Sequence, residues 1–129
     1  MAFEDPGKSI SFDAGANLSS DQYKLVTLAS DGRVDVTGAT RTNTPIGILQ
    51  NKPSAAGQAA EIMVDGISKA IAGETIAAGE LVGPSSDTAG RVGDADTITN
   101  VIVGMAITGG AAGETISVLL FGGSGGEVS

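Results

Sequence analysis

The chain has 129 residues, enough for one domain, and its formal charge of −8 comes from 15 acidic and 7 basic residues with no histidine. Such a charge repels phosphate backbones, so we expect no nucleic-acid partner. Histidine and cysteine are both absent, which removes the commonest bases, nucleophiles and transition-metal ligands. The composition therefore predicts a protein that is not an enzyme, with no catalytic residue, no cofactor and no metal.

The first residues, MAFEDPGKSISF, carry acidic residues and a proline where a signal peptide needs a basic segment and then an apolar run. No apolar run approaches the roughly 20 residues that span a bilayer. We therefore expect neither signal-dependent secretion nor a membrane partner.

Residues 1–8 are polar, and Pro6-Gly7 blocks regular structure ahead of a first strand over residues 9–12. The pattern predicts a flexible N-terminal arm. Two interpretations stay open, namely a plain mobile terminus and an arm that becomes ordered on a partner. Phe3 favours the second, because it is one of only three phenylalanines in the chain.

Two β-prone runs follow, residues 23–28 and 33–36, separated by Ser30-Asp31-Gly32. Val34 and Val36 alternate with charged neighbours, as in a half-buried strand. The spacing predicts a β-hairpin with its turn at Gly32.

The central stretch, residues 43–72, reads as strand, loop, strand, tight turn and strand. Ile46 and Ile48, and then Ile62 and Val64, occupy every second position, as one face of a pleated strand requires. Asp65-Gly66 accepts positive φ, so the pattern predicts a hairpin turn there.

A weaker copy of this plan occupies residues 101–121, with Gly47 matching Gly104 (104 − 47 = 57) and Gly57 matching Gly113 (113 − 57 = 56). We predict a single β domain over residues 9–122, with pseudo-repeats at about 20–66 and 77–123 and a flexible glycine-rich tail over 123–129. Frequent glycine, threonine and valine, with turn residues about every 8 to 12 residues, favour an all-β fold. The predicted fold class is a small compact β-barrel or β-tulip-like domain built from two weakly repeated halves, with little or no helix.

The last predicted strand, residues 114–121, differs from its earlier copy. Glu61, Met63 and Asp65 predict one face of the first copy turned towards water, and the matching positions in the second copy are Ser117, Leu119 and Phe121. The second copy is thus apolar on both faces. One hypothesis is that another subunit covers Leu119 and Phe121, and the alternative is that loops of the same domain cover them.

Two other candidate sites have little support in the sequence. Asp94 and Asp96 could offer oxygen ligands to calcium, but the other ligand positions of a calcium loop are missing. A glycosidase needs only two carboxylates, yet no spacing among the fifteen acidic residues singles out a pair.

The runs YKLVTLASDGRV, TPIGILQNKPSAAGQAAEIMVDGISKAIAG, AAGELVG and AAGETISVLLF, in this order, resemble the small capsid cement or decoration proteins of tailed bacteriophages. The resemblance covers residues 9–121. It implies a viral structural protein that binds the major capsid protein on the outer surface of the virion as a homotrimer, stabilises the expanded head, and is made in the host cytoplasm. It further implies a capsid-binding arm formed by Ala2, Phe3, Glu4, Asp5 and Pro6.

A carbohydrate-binding β-module of a tail fibre or a cell-surface protein is the alternative from another class. Such a module needs exposed aromatic side chains, and the chain has a single tyrosine, Tyr23, and no tryptophan. A minimal glycosidase is the third choice.

Overall fold

The computed structural model describes residues 5–40, 44–95 and 101–121. In those ranges the chain forms strands without any helix, which confirms the predicted all-β class. None of the described residues forms a helix capable of crossing a bilayer. The strands are β1 (Asp5–Pro6), β2 (Ser9–Ala14), β3 (Leu25–Leu28), β4 (Arg33–Val36), β5 (Gly47–Leu49), β6 (Ala59–Met63), β7 (Asp65–Ile71), β8 (Leu81–Pro84), β9 (Val92–Asp94), β10 (Gly104–Ala106) and β11 (Thr115–Phe121).

The first half of the chain forms a closed barrel in the order β2-β4-β3-β5-β6, which we call the first barrel. β2 closes it by pairing antiparallel with β6 and parallel with β4. The predicted hairpin between β3 and β4 is present, with Val26 opposite Val36.

The second half forms a sheet in the order β1-β7-β11-β10-β8-β9. A parallel bridge between Ala72 and Val92 joins the end of β7 to β9. Strands β7 to β11 therefore form a curved sheet in which the two end strands, β7 and β9, meet. We call these five strands the second barrel.

The two barrels have the same topology and the same register. The parallel pair Ala14 and Val34 closes the first barrel, and Ala72 and Val92 hold the matching positions in the second. Each of β2 to β6 thus has a counterpart among β7 to β11, in the same order. The fold is built from two repeated halves, as the sequence predicts.

Each barrel fills its interior with small aliphatic side chains. One apolar cluster belongs to the first barrel and includes Val26, Val34 and Ile62. The other cluster contains the counterparts Val82, Val92 and Val118, together with residues from the first barrel. The second core is therefore continuous with one face of the first barrel.

The predicted hairpin at Asp65-Gly66 is wrong. β6 pairs with β2 and β5, whereas β7 pairs with β1 and β11, so the two strands do not pair with each other. Gly66 does adopt a positive φ of 104°. It lies within β7, opposite Leu120. Val64, which follows β6, donates its amide hydrogen to the carbonyl of Lys8, which precedes β2, and the chain then passes directly into β7 of the second barrel.

Candidate interaction surface

The outer face of the second barrel carries a row of apolar side chains across neighbouring strands. Leu81 lies opposite Met105, and Met105 lies opposite Leu119. We call these three residues the second-barrel strip. Leu119 is 37% exposed, and Leu81 and Met105 are half-buried. The strip is open to contact with another molecule.

The strip continues along β11 to Phe121, which is 49% exposed. On the other face of the same strand, Ile116, Val118 and Leu120 are buried in the second core. β11 is therefore apolar on both faces, as its sequence predicts, and only one of these faces is used inside the barrel. The placement of Leu119 and Phe121 on the exposed face makes them available to a partner.

The first barrel has the same three positions, and there they are buried. Leu25, Ile48 and Met63 pair in the same register, and we call them the first-barrel strip. All three belong to the cluster that forms the core of the second barrel. The first-barrel strip is thus the surface through which one barrel packs on the other.

The prediction that this face of the first copy is turned towards water is wrong at Met63. Glu61 and Asp65 are exposed, but Met63 is only 3% exposed. The reason is a tertiary contact, because Met63 packs in the core of the second barrel. Alternation along one strand cannot reveal a neighbouring barrel.

The structure brings the predicted arm close to the predicted subunit interface. In β1, Asp5 lies opposite Ile67 of β7, and Ile67 lies opposite Leu119. Pro6 lies opposite Gly66 in the same pairing. Ala2, Phe3 and Glu4 lie outside the described residues. The arm therefore enters the sheet beside the second-barrel strip.

Sequence reasoning identified Leu119 and Phe121 but missed Leu81, Met105 and Ile67. Each of the missed residues is on a different strand, so no single run of sequence displays the row. The available signal was the repeat itself, because Leu81 and Met105 match Leu25 and Ile48 when the two halves are aligned.

Other sites offer little chemistry in the described part of the chain. It contains no group of three or more acidic residues placed to hold a metal ion. A shallow depression lies between the barrels, without room for a water molecule, and is lined by Pro45, Ile46, Gly47, Val64, Val103 and Leu120. Tyr23, which a sugar platform would need, packs against the second core. Asp94 is described, and Asp96 lies outside the described residues.

The fold and the surface together define a class, namely tandem β-barrel proteins with an exposed apolar sheet face. No family model matches the chain, and no curated protein matches it. Among solved structures, the chain is similar to the N-terminal base of the head fiber protein gp8.5 of bacteriophage phi29, with a TM-score of 0.62 and 17% identity. The similarity covers 95% of this chain and 99% of that one. At this identity the similarity establishes a common fold.

Proposed function

We propose that this chain is a structural protein of a bacteriophage head, which binds the outer surface of the capsid as a homotrimer and stabilises the expanded shell. The similar solved structure is the base of a phage head fiber, and the match spans almost the whole of both chains. The sequence resemblance to capsid cement proteins supports the same class of function.

The observation that carries the proposal is the apolar face of the second barrel. Leu119 and Phe121 are large, apolar and exposed on a regular strand, and Leu81 and Met105 extend the same row. Contiguous apolar surface on a small soluble protein marks a protein contact. A protein that is stabilised by assembly with its neighbours has such a face.

The proposed partners are the major capsid protein and further copies of the chain. We assign the capsid contact to residues 2–6, because the last two of these residues form β1 at the edge of the second sheet. Several arms presented by one oligomer raise their effective concentration at the shell, so weak single contacts suffice. The charge of −8 fits the outside of a shell that is filled with DNA.

Co-sedimentation with purified heads tests this function. We expect the protein to pellet with expanded heads and to remain in the supernatant with unexpanded ones. Removal of residues 2–6 should abolish pelleting while the protein still oligomerises in solution. A control in which Val128 and Ser129 are removed from the other terminus should pellet like the wild type. Equal binding with and without the arm would contradict the assignment, and no binding to expanded heads would contradict the function.

A further inference from the structure

We propose that copies of this chain associate head-to-tail, with the second-barrel strip of one copy packing on the first barrel of the next. The contact would repeat, between chains, the packing of the two barrels within one chain. It rests on the self-association included in the proposed function and specifies its geometry.

The donor side of this contact is the exposed strip. Within the chain, the side chains of Leu25, Ile48 and Met63 pack into the second core and are no more than 3% exposed. Leu81, Met105 and Leu119 hold the same positions in the second barrel, with the same pairing. A third barrel would bury them in the way the second barrel buries the first strip.

The acceptor side within the chain includes β7 and the β8–β9 turn. Gln50 donates a hydrogen bond from its Nε2 to the Ser68 Oγ at 2.9 Å. The Leu25 amide donates to the Gly90 carbonyl at 2.7 Å, and the Gly90 amide donates to the Thr37 carbonyl at 2.8 Å. These hydrogen bonds connect the first barrel to one strand and one turn of the second.

The corresponding acceptor on the first barrel is apolar and partly exposed. Ile10 and Phe12 occupy the positions of Ser68 and Ala70, as their pairing with Ile62 and Ala60 shows. Ile10 is 39% exposed. Gly32 holds the position of Gly90, and the space beside it is empty, whereas a side chain at Gly90 would meet the first barrel. We call Ile10, Phe12 and Gly32 the acceptor face.

The side chains of the two acceptors differ in size, so we expect the contact within the chain and the contact between chains to differ in affinity. Ser68 and Ala70 are small and leave room for the first-barrel strip in a continuous core. Phe12 packs instead against the first barrel's own core, so the acceptor face is filled from within. The contact between chains should therefore be shallower than the internal one, and reversible.

The contact joins two different surfaces, so it is heterologous and leaves one donor and one acceptor free in a pair of chains. Such a contact closes into a ring or continues as a filament, depending on the rotation between neighbours. If the predicted homotrimer forms in this way, it is a ring of six similar barrels.

A mixing experiment distinguishes this arrangement from a two-fold contact. Leu119→Glu removes the donor and Ile10→Glu removes the acceptor, and each variant alone should sediment as a monomer at concentrations where the full-length wild type is oligomeric. An equal mixture should give a species of twice the monomer mass, because one intact junction can form. Ala112→Glu and Ala56→Glu add the same charge in exposed loops and should leave the wild-type oligomer unchanged.

A cross-linking measurement keeps the proposal testable if a glutamate variant fails to fold. The chain has no cysteine, so Leu119→Cys and Ile10→Cys each introduce a single thiol. Under mild oxidation, the mixture should give the mixed disulfide in at least tenfold excess over either homodimer.

Three outcomes would overturn the inference. An Ile10→Glu protein that keeps the wild-type oligomer would show a contact between two identical strips. A mixture that stays monomeric would exclude the head-to-tail junction while leaving capsid binding intact. A monomeric wild type that nevertheless binds expanded heads would remove self-association and keep the capsid role.

Discussion

The Lys69 ammonium lies 5.6 Å from the centroid of the Tyr23 ring, so a side chain of the second barrel covers the only tyrosine of the first. Tyr23 has a φ of 67° and is the one non-glycine residue with positive φ in the described part of the chain. Its counterpart in the second barrel is Gly79, with a φ of 90°. A tyrosine is held in a conformation that glycine adopts freely, because its ring packs between the barrels.

Substitutions at Tyr23 separate the free-energy cost of its positive φ from the stabilisation that its packed ring provides. Tyr23→Gly should relieve about 1 kcal/mol of backbone strain but lose the buried ring, for a net destabilisation of about 1–2 kcal/mol. Tyr23→Phe keeps the ring and should remain within about 1 kcal/mol of the wild type. Urea unfolding of the three proteins measures this, and a glycine variant more stable than the wild type would show that ring packing contributes less than the backbone strain costs.

Lys69→Met tests the cation over the ring. The substitution keeps a long flexible side chain and removes the charge, so we expect a loss of about 0.5–1 kcal/mol. The same change in the Tyr23→Gly background should cost less, since the partner ring is gone. Equal costs in both backgrounds would exclude a direct interaction between the two side chains.

Gly47 and Gly104 are counterparts at which the chain passes close to a neighbouring carbonyl. A Cβ at Gly47 would collide with the Met63 carbonyl oxygen, and one at Gly104 would collide with the Leu119 carbonyl oxygen. We expect Gly47→Ala and Gly104→Ala each to destabilise the protein by about 2–3 kcal/mol, because backbone must move. Thermal unfolding monitored by circular dichroism measures the effect.

Gly32→Ala is the matched control for these two substitutions. It lies at positive φ, but nothing stands within 4 Å of its Cβ position, so the cost should be limited to about 1 kcal/mol of backbone conformation. A Gly32 variant as unstable as the Gly47 variant would show that steric contact is not the cause.

Met63 and Leu119 hold the same position in the two barrels and should respond differently to charge. Met63→Glu places a carboxylate between the barrels and should cost about 3 kcal/mol or more. Leu119→Glu lies on an exposed face and should change the unfolding free energy of the monomer by about 0.5 kcal/mol. Unfolding at low protein concentration gives both values, and comparable losses would mean that the second strip is also buried within one chain.

The sequence was sufficient to predict the local elements. Alternating valines and the Ser30-Asp31-Gly32 turn lie close together in the chain, and the hairpin they predict is present. The matching glycines likewise reveal the duplication, because turns and close approaches demand them in each copy. These features depend on neighbouring residues and need no knowledge of distant ones.

The relation between the barrels could not be predicted from local patterns. Asp65-Gly66 has the residues of a hairpin turn, but the pairing of β7 with β11 determines where the chain goes. Met63 lies two positions from Glu61 and from Asp65, but its burial depends on a core to which distant strands such as β11 contribute. Both corrections arise from tertiary contacts that override a short pattern.

The ionic strength dependence of self-association tests whether apolar or charged groups hold the chains together. Each chain carries a charge of −8, so neighbours repel each other, and the strip contributes apolar contacts that salt does not weaken. The screening length falls from about 30 Å at 0.01 M salt to about 3 Å at 1 M, so we expect tighter association as sodium chloride is raised. Sedimentation velocity at fixed protein concentration across that range gives the measurement, with Leu119→Glu as a control that stays monomeric throughout. Dissociation at high salt would instead show that ion pairs dominate the contact, and the apolar strip would then have to serve another partner.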